Sequence, residues 1–306
     1  MKLDICCIGH ITLDKIVTPE KEVYMPGGTS YYFAHGISGL LRDTQGKRVP
    51  SFKLITSLGG KEMSAVDDIR AKGIDVEVIP SKNTVFFENI YGKNQNNRKQ
   101  RVRAKADPFT TEKLKDVKAR YIILGSLLAD DFSLDVIKYL SQRGTLVVDA
   151  QGYLREVKDE KVYACDWKDK SEALRYIDIL KVNEHEIEVL TGLKDPHAAA
   201  MRLHEWGVKE VLLTLGSYGS IIYDGEHFYE IPGYPPHKMV DATGCGDTYA
   251  AGFLYAHSLG MPLRVCGEVG SIIAAKVVEV IGTKIDIPRW RTAKEEIRAL
   301  IAANQQ

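Results

Sequence analysis

The sequence predicts an α/β fold built on a mostly parallel, two-sided sheet, with a smaller β element standing apart from it. Three observations carry this reading. Beyond Pro108, short apolar runs alternate with helix-compatible segments, a rhythm that calls for parallel strands joined by crossover helices. Residues 84–91 and 98–105 are β-rich and flank a polar turn at 92–97 rather than a helix. They read as an exposed hairpin, hence a lid or an edge that needs a partner. Finally, the glycine-rich loop Val240-Asp241-Ala242-Thr243-Gly244-Cys245-Gly246-Asp247 runs straight into an apolar, helix-compatible segment.

Composition sets the limits. The chain has 306 residues, 44% of them hydrophobic, enough for one large core and against disorder. Forty-one basic residues balance 41 acidic ones. That balance argues against a chain built to hold nucleic acid or a membrane surface. The five cysteines are odd in number and lack a paired metal-ligand spacing, which suits a reducing compartment, so a cytoplasmic location is expected. No window resembles a signal peptide or a membrane span.

Taken in order, residues 3–9 form a short apolar run closed by Gly9, a buried parallel strand that carries Cys6 and Cys7. Asp14 follows on the exit segment, where open α/β sheets bind ligands beyond their strand ends. A turn aspartate is the competing reading. Met25-Pro26-Gly27-Gly28-Thr29-Ser30 opens a helix with Thr29 or Ser30 as its cap. Its paired glycines let the backbone approach a small ligand. Tyr31, Tyr32 and Phe33 begin that helix as core residues, with room for one to face a pocket.

Residues 52–58 read as a strand, 61–72 as a helix ended by Gly73, and 74–79 as a strand. The basic run Arg98-Lys99-Gln100-Arg101-Val102-Arg103 reads as a solvated strand face, because the stacking aromatics of a nucleic-acid groove are missing. Later strands are expected at 121–124, 145–149, 177–182, 210–214 and 220–223. Helices are expected near 134–143, 184–190, 198–206, 247–259 and 264–280, with a closing helix at 289–301. Residues 152–170 are irregular and charged, and are expected as a loop.

The chemistry concentrates in a few stretches. Gly244, Cys245 and Gly246 present a tight turn whose free N–H groups point outward from a helix N-terminus, suiting a phosphate or a developing anion. Asp247 stands at the junction, where a carboxylate can reach the reacting atom; an N-cap aspartate is the plain alternative. Asn183 and Glu186 lie three residues apart at a strand-to-helix transition, on one side of the first turn. They could position hydrated magnesium, which takes few protein oxygens, or form a capping box; the two are compatible. Thr214-Leu215-Gly216-Ser217-Tyr218-Gly219 is a second glycine turn, suited to lining a nucleotide or simply to joining strands. There is no G-x-x-x-x-G-K-[ST], and the first strand runs into Gly9-His10-Ile11-Thr12 rather than G-x-G-x-x-G. P-loop and Rossmann chemistry are thereby set aside. The eight histidines contain no H-x-x-x-H pair, so His10, His35 and His185 read as surface or packing residues.

Together these stretches resemble the ribokinase family, the phosphofructokinase-B (PfkB) type carbohydrate kinases. Asp241-Ala242-Thr243-Gly244-Cys245-Gly246-Asp247 matches that family's D-T-x-G-A-G-D signature, and Gly27-Gly28, Asn183…Glu186 and the 214–219 turn fall in its order. The resemblance covers nearly the whole chain. It implies a three-layer αβα ribokinase-like fold over a single domain, 1–306, with a small β lid from about 11–26 and 83–105. It also implies transfer of the ATP γ-phosphoryl to a sugar-like hydroxyl, with magnesium. Carried over by position, Asp247 would be the base and the amides of Gly244, Cys245 and Gly246 the anion hole. Asp14, Gly27 and Gly28, with Thr29, Asn89 and Arg155, would hold substrate. Asn183, Thr214, Gly216, Gly219, Thr243 and Ser271 would line the nucleotide, and Glu186 would hold magnesium through water. Asp241, Thr243 and residues near Gly282 resemble the monovalent-cation loop of some members, a site for K+. The lid hints at a homodimer, as in some relatives.

Two departures stand out. Ala242 and Cys245 replace the usual Thr and Ala, both small; Cys245 reads either as a passive substitute or as an acidic thiol at a helix N-terminus. The glycine pair is followed by Thr29-Ser30-Tyr31-Tyr32 rather than G-x-N, which argues against ribose. Gly27-Gly28-Thr29 and Asp149-Ala150-Gln151-Gly152-Tyr153-Leu154-Arg155 look like inositol-kinase-type members, so the expected acceptor is a sugar or polyol such as myo-inositol. The alternatives are a nucleoside kinase on the same scaffold and a non-catalytic nucleotide or sugar sensor, the latter opposed by retention of Asp247 and its glycines. A nicotinamide oxidoreductase fits the βα rhythm but lacks the fingerprint.

Overall fold

The computed structural model describes residues 3–41, 49–91, 98–283 and 285–304; the turn expected at 92–97 lies outside them. The strands, in chain order, are β1 (Leu3–Gly9), β2 (Thr12–Val17), β3 (Glu22–Gly27), β4 (Phe52–Leu58), β5 (Asp75–Pro80), β6 (Val85–Tyr91), β7 (Arg98–Ala104), β8 (Ala119–Gly125), β9 (Thr145–Asp149), β10 (Arg155–Lys158), β11 (Lys161–Ala164), β12 (Ile179–Asn183), β13 (Glu210–Thr214), β14 (Gly219–Tyr223) and β15 (Phe228–Pro232). The helices are α1 (Thr29–Leu41), α2 (Met63–Arg70), α3 (Leu134–Ser141), α4 (Lys170–Ala173), α5 (Glu184–Thr191), α6 (Pro196–Glu205), α7 (Cys245–Ser258), α8 (Leu263–Val278) and α9 (Ile287–Ala303).

Nine strands form the central sheet, in the order β15-β14-β13-β12-β9-β8-β1-β4-β5. From β13 to β5 every pairing is parallel; β14 and β15 close one edge antiparallel. Side chains alternate between the two faces of a strand, and here both faces are covered. Ile5, Cys7, Leu54, Ile123, Val147 and Ile179 pack with α1, α2, α7, α8 and α9 on one side. Their sequence neighbours Cys6, Ile8, Ile55, Ile122, Leu124, Val148 and Leu180 pack with α3, α5 and α6 on the other. This is why the strands read as continuous apolar runs. Among the described residues no helix is long and apolar enough to cross a membrane.

A second sheet of six strands, in the order β10-β11-β7-β6-β2-β3, lies apart from the first. Its inner face carries Val85, Phe87 and Val102, which pack on Leu127 and Leu128 just beyond the end of β8. The hairpin expected to stand exposed therefore buries one face. The other face is charged: Lys15 reaches Glu22 at 3.1 Å and Glu88 at 3.5 Å, and Arg103 meets Glu160 at 2.5 Å. Arg101 of β7 likewise meets Glu88 at 3.9 Å, so both arginines of that strand's outer face have carboxylate partners. The loop expected over 152–170 is corrected: it contains the antiparallel hairpin β10–β11, which extends this second sheet through one pairing to β7.

Candidate active site

The site begins with a row of strand ends. Gly9 lies in register with Gly125, Gly125 with Asp149, Asp149 with Lys181, and Asn183 with Thr214. Parallel strands end on the same side, so their C-terminal residues and the loops after them converge on one crevice, the usual ligand-binding edge of open α/β sheets.

The N-terminus of α7 opens onto that edge. Gly244 precedes it in a left-handed conformation, φ 78°, and a Cβ there would lie 2.0 Å from the Tyr32 ring. Only glycine meets both demands. Cys245 N–H donates to the Ala242 carbonyl at 3.3 Å. Among the described residues the amides of Gly244 and Gly246 have no such partner, as expected at a helix start. The Cys245 thiol lies 3.8 Å from the Ala274 carbonyl, and burial, with Asp241 and Asp247 nearby, pushes its pKa up to about 12. The acidic-thiol reading is corrected: burial and the two carboxylates keep the thiol protonated, and Cys245 stands as a small packing residue.

Asp247, half-buried in the first turn of α7, has its carboxyl pushed up to about 6 by burial. The Lys181 ammonium opposes that rise, Asp149 adds to it, and a hydrogen bond from Thr29 and the charge of Arg155 hold it down. Thr29 is itself anchored. Gln151 Nε2 donates to Thr29 Oγ1 at 2.7 Å, and Arg155 Nη2 donates to Gln151 Oε1 at 3.1 Å. Lys181 Nζ donates to Asp149 Oδ2 at 2.7 Å, both residues buried. Burial alone would discharge that lysine, but Asp149, Glu186 and Asp247 outweigh it and keep its pKa above the ordinary value.

Asn183 and Glu186 form the capping box the sequence allowed. Asn183 Oδ1 accepts from the amides of His185 and Glu186, each at 2.9 Å, and Glu186 Oε2 accepts from Asn183 N–H at 3.0 Å. Burial raises the Glu186 pKa while Lys181 pulls it down. Among the described residues no group of three His, Cys, Asp or Glu side chains could hold a metal directly.

Above the row lies the inner face of the second sheet. Thr12 Oγ1 donates to Asp14 Oδ1 at 2.6 Å, and Gly27 lies so close beneath that an added Cβ would be 2.4 Å from Asp14 Oδ2. Gly28, φ 93°, joins β3 to α1, and its carbonyl accepts the Tyr32 amide at 3.1 Å. Burial pushes the Tyr32 hydroxyl pKa up, and the charges of Asp14, Asp241 and Asp247 add to the rise. Asn89 is buried on β6, its Oδ1 accepting from Gln100 Nε2 at 2.9 Å.

The remaining expected residues lie at the end of β13, in the turn after it, in the loop before α7 and within α8. Thr214 ends β13, with its hydroxyl 3.4 Å from the Val182 carbonyl. Gly216 and Gly219 have positive φ, 55° and 100°, around a tight helical turn, and Gly216 lies beside Glu184. Asp241 Oδ1 accepts from Thr243 N–H at 2.9 Å in the loop before α7. Ser271 is buried within α8.

Sequence reasoning gave no role to Lys181, Asp149 or Gln151. A signal was present: Thr145-Leu146-Val147-Val148-Asp149 and Ile179-Leu180-Lys181-Val182-Asn183 each place one charge in an otherwise apolar strand. A charge in a strand covered on both faces needs an opposite partner, and the two have opposite sign.

The profile of the family described as pfkB family carbohydrate kinase matches residues 3–290. A cytidine kinase of Thermococcus kodakarensis is 30% identical over 294 residues, 92% of this chain and 98% of that one. A pyrophosphate-dependent kinase of the ribokinase family, solved with a pyrophosphate analog and myo-inositol, superposes with a TM-score of 0.83 at 28% identity, covering 94% of this chain and 99% of that one. Arabidopsis thaliana ribokinase, solved with ribose and ATP, shares the fold with a TM-score of 0.74 at 21% identity, over 97% and 99% of the two chains.

Proposed function

Because the chain belongs to the pfkB family of carbohydrate kinases, we propose that it transfers the terminal phosphoryl group of ATP to one hydroxyl of a small sugar or polyol, with myo-inositol as the leading acceptor. The fold is ribokinase-like, and the chain is read as one kinase domain whose second sheet serves as the lid. The observation that carries the acceptor reading is the polar arc around Asp247: Thr29, Gln151 and Arg155 in one hydrogen-bonded series, with Asp14 on the lid face. Such an arc suits a molecule that presents hydroxyls all round. The myo-inositol complex of a neighbour at 28% identity supports the same choice.

In this reading Asp14, Thr29 and Arg155 hold the acceptor with one hydroxyl against Asp247. That carboxylate orients the O–H and takes its proton as the oxygen–phosphorus bond forms and the bond to the leaving phosphate breaks. The amides of Gly244 and Gly246 face the transferring group, and Glu186 with Asn183 would hold hydrated magnesium, which supplies charge neutralisation on the donor phosphates when bound. Enzymes lower barriers by about 8–23 kcal/mol. A helix terminus contributes about 0.3–2 kcal/mol, a well-aimed donor to an oxyanion about 2.7–4, and in-line positioning about 7–11. Positioning and charge therefore dominate, as a loose phosphoryl transition state requires.

A second reading has its own support: the cytidine kinase relative spans nearly the whole chain at 30% identity, so a nucleoside acceptor is the alternative. The test is turnover with ATP, and with pyrophosphate in its place, against myo-inositol, cytidine, adenosine, ribose and fructose, with NMR of the product. Phosphorylated myo-inositol is expected. Turnover of cytidine alone would replace the polyol reading with the nucleoside one.

A further inference from the structure

We propose that the ammonium of Lys181 is a catalytic group that contacts the transferred phosphoryl beside Gly246, with Asp149 as the positioning residue that aims it. The inference rests on the kinase reading above and adds to it a residue outside the glycine loop, Asp247 and the Asn183–Glu186 pair.

Three observations support it. The first is place: a Cβ built on Gly246 would lie 3.2 Å from both Cε and Nζ of Lys181, so the ammonium sits against the turn that opens α7. The second is supply of donors. An ammonium has three N–H groups, and among the described residues its hydrogen-bond partner is Asp149 Oδ2, 2.7 Å away. Lys181 is 5% exposed and Asp149 1%, so water is largely kept from the remaining N–H groups and a ligand oxygen in the crevice is the partner they lack. The third is charge balance. Asp149, Glu186 and Asp247 all bear on this one ammonium, and a polyanionic donor would bring more negative charge to a crevice already rich in it. A buried cation at the turn offsets that charge where the phosphoryl transfers, and its value is greatest in a site closed to water. Asp149 fixes the rotamer, being paired from the neighbouring strand end and itself accepting the Gln151 amide at 3.2 Å.

In the step itself the acceptor oxygen bonds to the terminal phosphorus, its proton passes to Asp247, and the donor leaves as the shortened phosphate. Lys181 keeps its proton throughout and meets one of the three peripheral phosphoryl oxygens. A purely structural ion pair would make no such contact, and the two roles separate experimentally.

Lys181→Met strands a buried carboxylate and can fail to fold for that reason alone. The deciding variant is therefore Lys181→Met with Asp149→Asn, which removes both charges and keeps the packing. Folding is checked by circular dichroism and melting. Turnover should slow at least a hundredfold, with acceptor KM within threefold of wild type and binding of inorganic pyrophosphate weakened at least tenfold by calorimetry. A folded double variant with turnover within fivefold of wild type and unchanged pyrophosphate affinity would overturn the inference and leave the pair as scaffold. Failure of the wild type with every acceptor on the panel would count against the acceptor reading, and the pyrophosphate titration would still decide the role of Lys181.

Discussion

Replacing Asp247 with Asn keeps the shape of the α7 mouth and removes the carboxylate proposed to take the acceptor's proton. Turnover should fall about 10²–10⁴-fold, while donor affinity measured by calorimetry stays within a few-fold; equal loss of both would contradict the role. The same carboxyl gives a pH signature. Its pKa is about 6 in the folded chain and about 3.9 when unfolded. The folded state therefore holds the extra proton between those values, and stability from this group, full below pH about 4, is lost as pH rises through 6. Asp247→Asn should raise the melting temperature at pH 7.5 and leave it unchanged at pH 4, and wild-type kcat/KM should fall below pH about 6. Cys245, with its thiol pKa pushed up to about 12, should resist iodoacetamide at pH 8 in the folded protein, and Cys245→Ala should keep near-native turnover. Asp247 and its glycines were legible in the sequence because turn chemistry is local. The link from Arg155 through Gln151 and Thr29 to Asp247 was not: it crosses 122 residues between Gln151 and Thr29, and no local pattern encodes it.

At the scale of elements, α7 and the lid carry different loads. Gly244→Ala would force a Cβ into the Tyr32 ring at a residue with φ 78°. The backbone strain alone costs about 1–3 kcal/mol, so both melting temperature and turnover should drop. The second sheet, the proposed lid, rests on a smaller apolar base, with Val85, Phe87, Val102, Leu127 and Leu128 as its buried cluster. Phe87→Ala removes the largest of these, about 3–5 kcal/mol for a buried phenylalanine. Hydrogen exchange of β6 and β7 amides should quicken while β1 and β8 amides stay protected, and acceptor KM should rise. Most helices and strands were readable from periodicity, but β10–β11 was not. Its turn is Asp159-Glu160, both at positive φ, 48° and 63°. Tight hairpin turns of this kind usually announce themselves with Asn-Gly or Asp-Gly; Lys158-Asp159-Glu160-Lys161 reads instead as a solvated charge run.

For the whole molecule, the layers follow from the alternation of side chains along β1, where Ile5 and Cys7 face one set of helices and Cys6 and Ile8 the other. That much a single apolar run can foretell. The order of the strands it cannot: β1, first in the chain, ends between β8 and β4, and only that arrangement brings Gly9, Gly125, Asp149 and Lys181 into one row. The second sheet, too, draws its strands from three separate stretches, 12–27, 85–104 and 155–164.

The joint between β3 and α1 is a single residue, Gly28. One position later stands the Thr29 hydroxyl that bonds to Asp247. The seat of the second sheet and the alignment of the carboxylate therefore share one short stretch of backbone. An enzyme so wired should waste little donor on water: background hydrolysis without acceptor should be slow in the wild type and quicken relative to transfer in Gly28→Ala, whose Cβ would lie 2.5 Å from the His10 carbonyl and push this joint out of place, measured as phosphate release with and without acceptor.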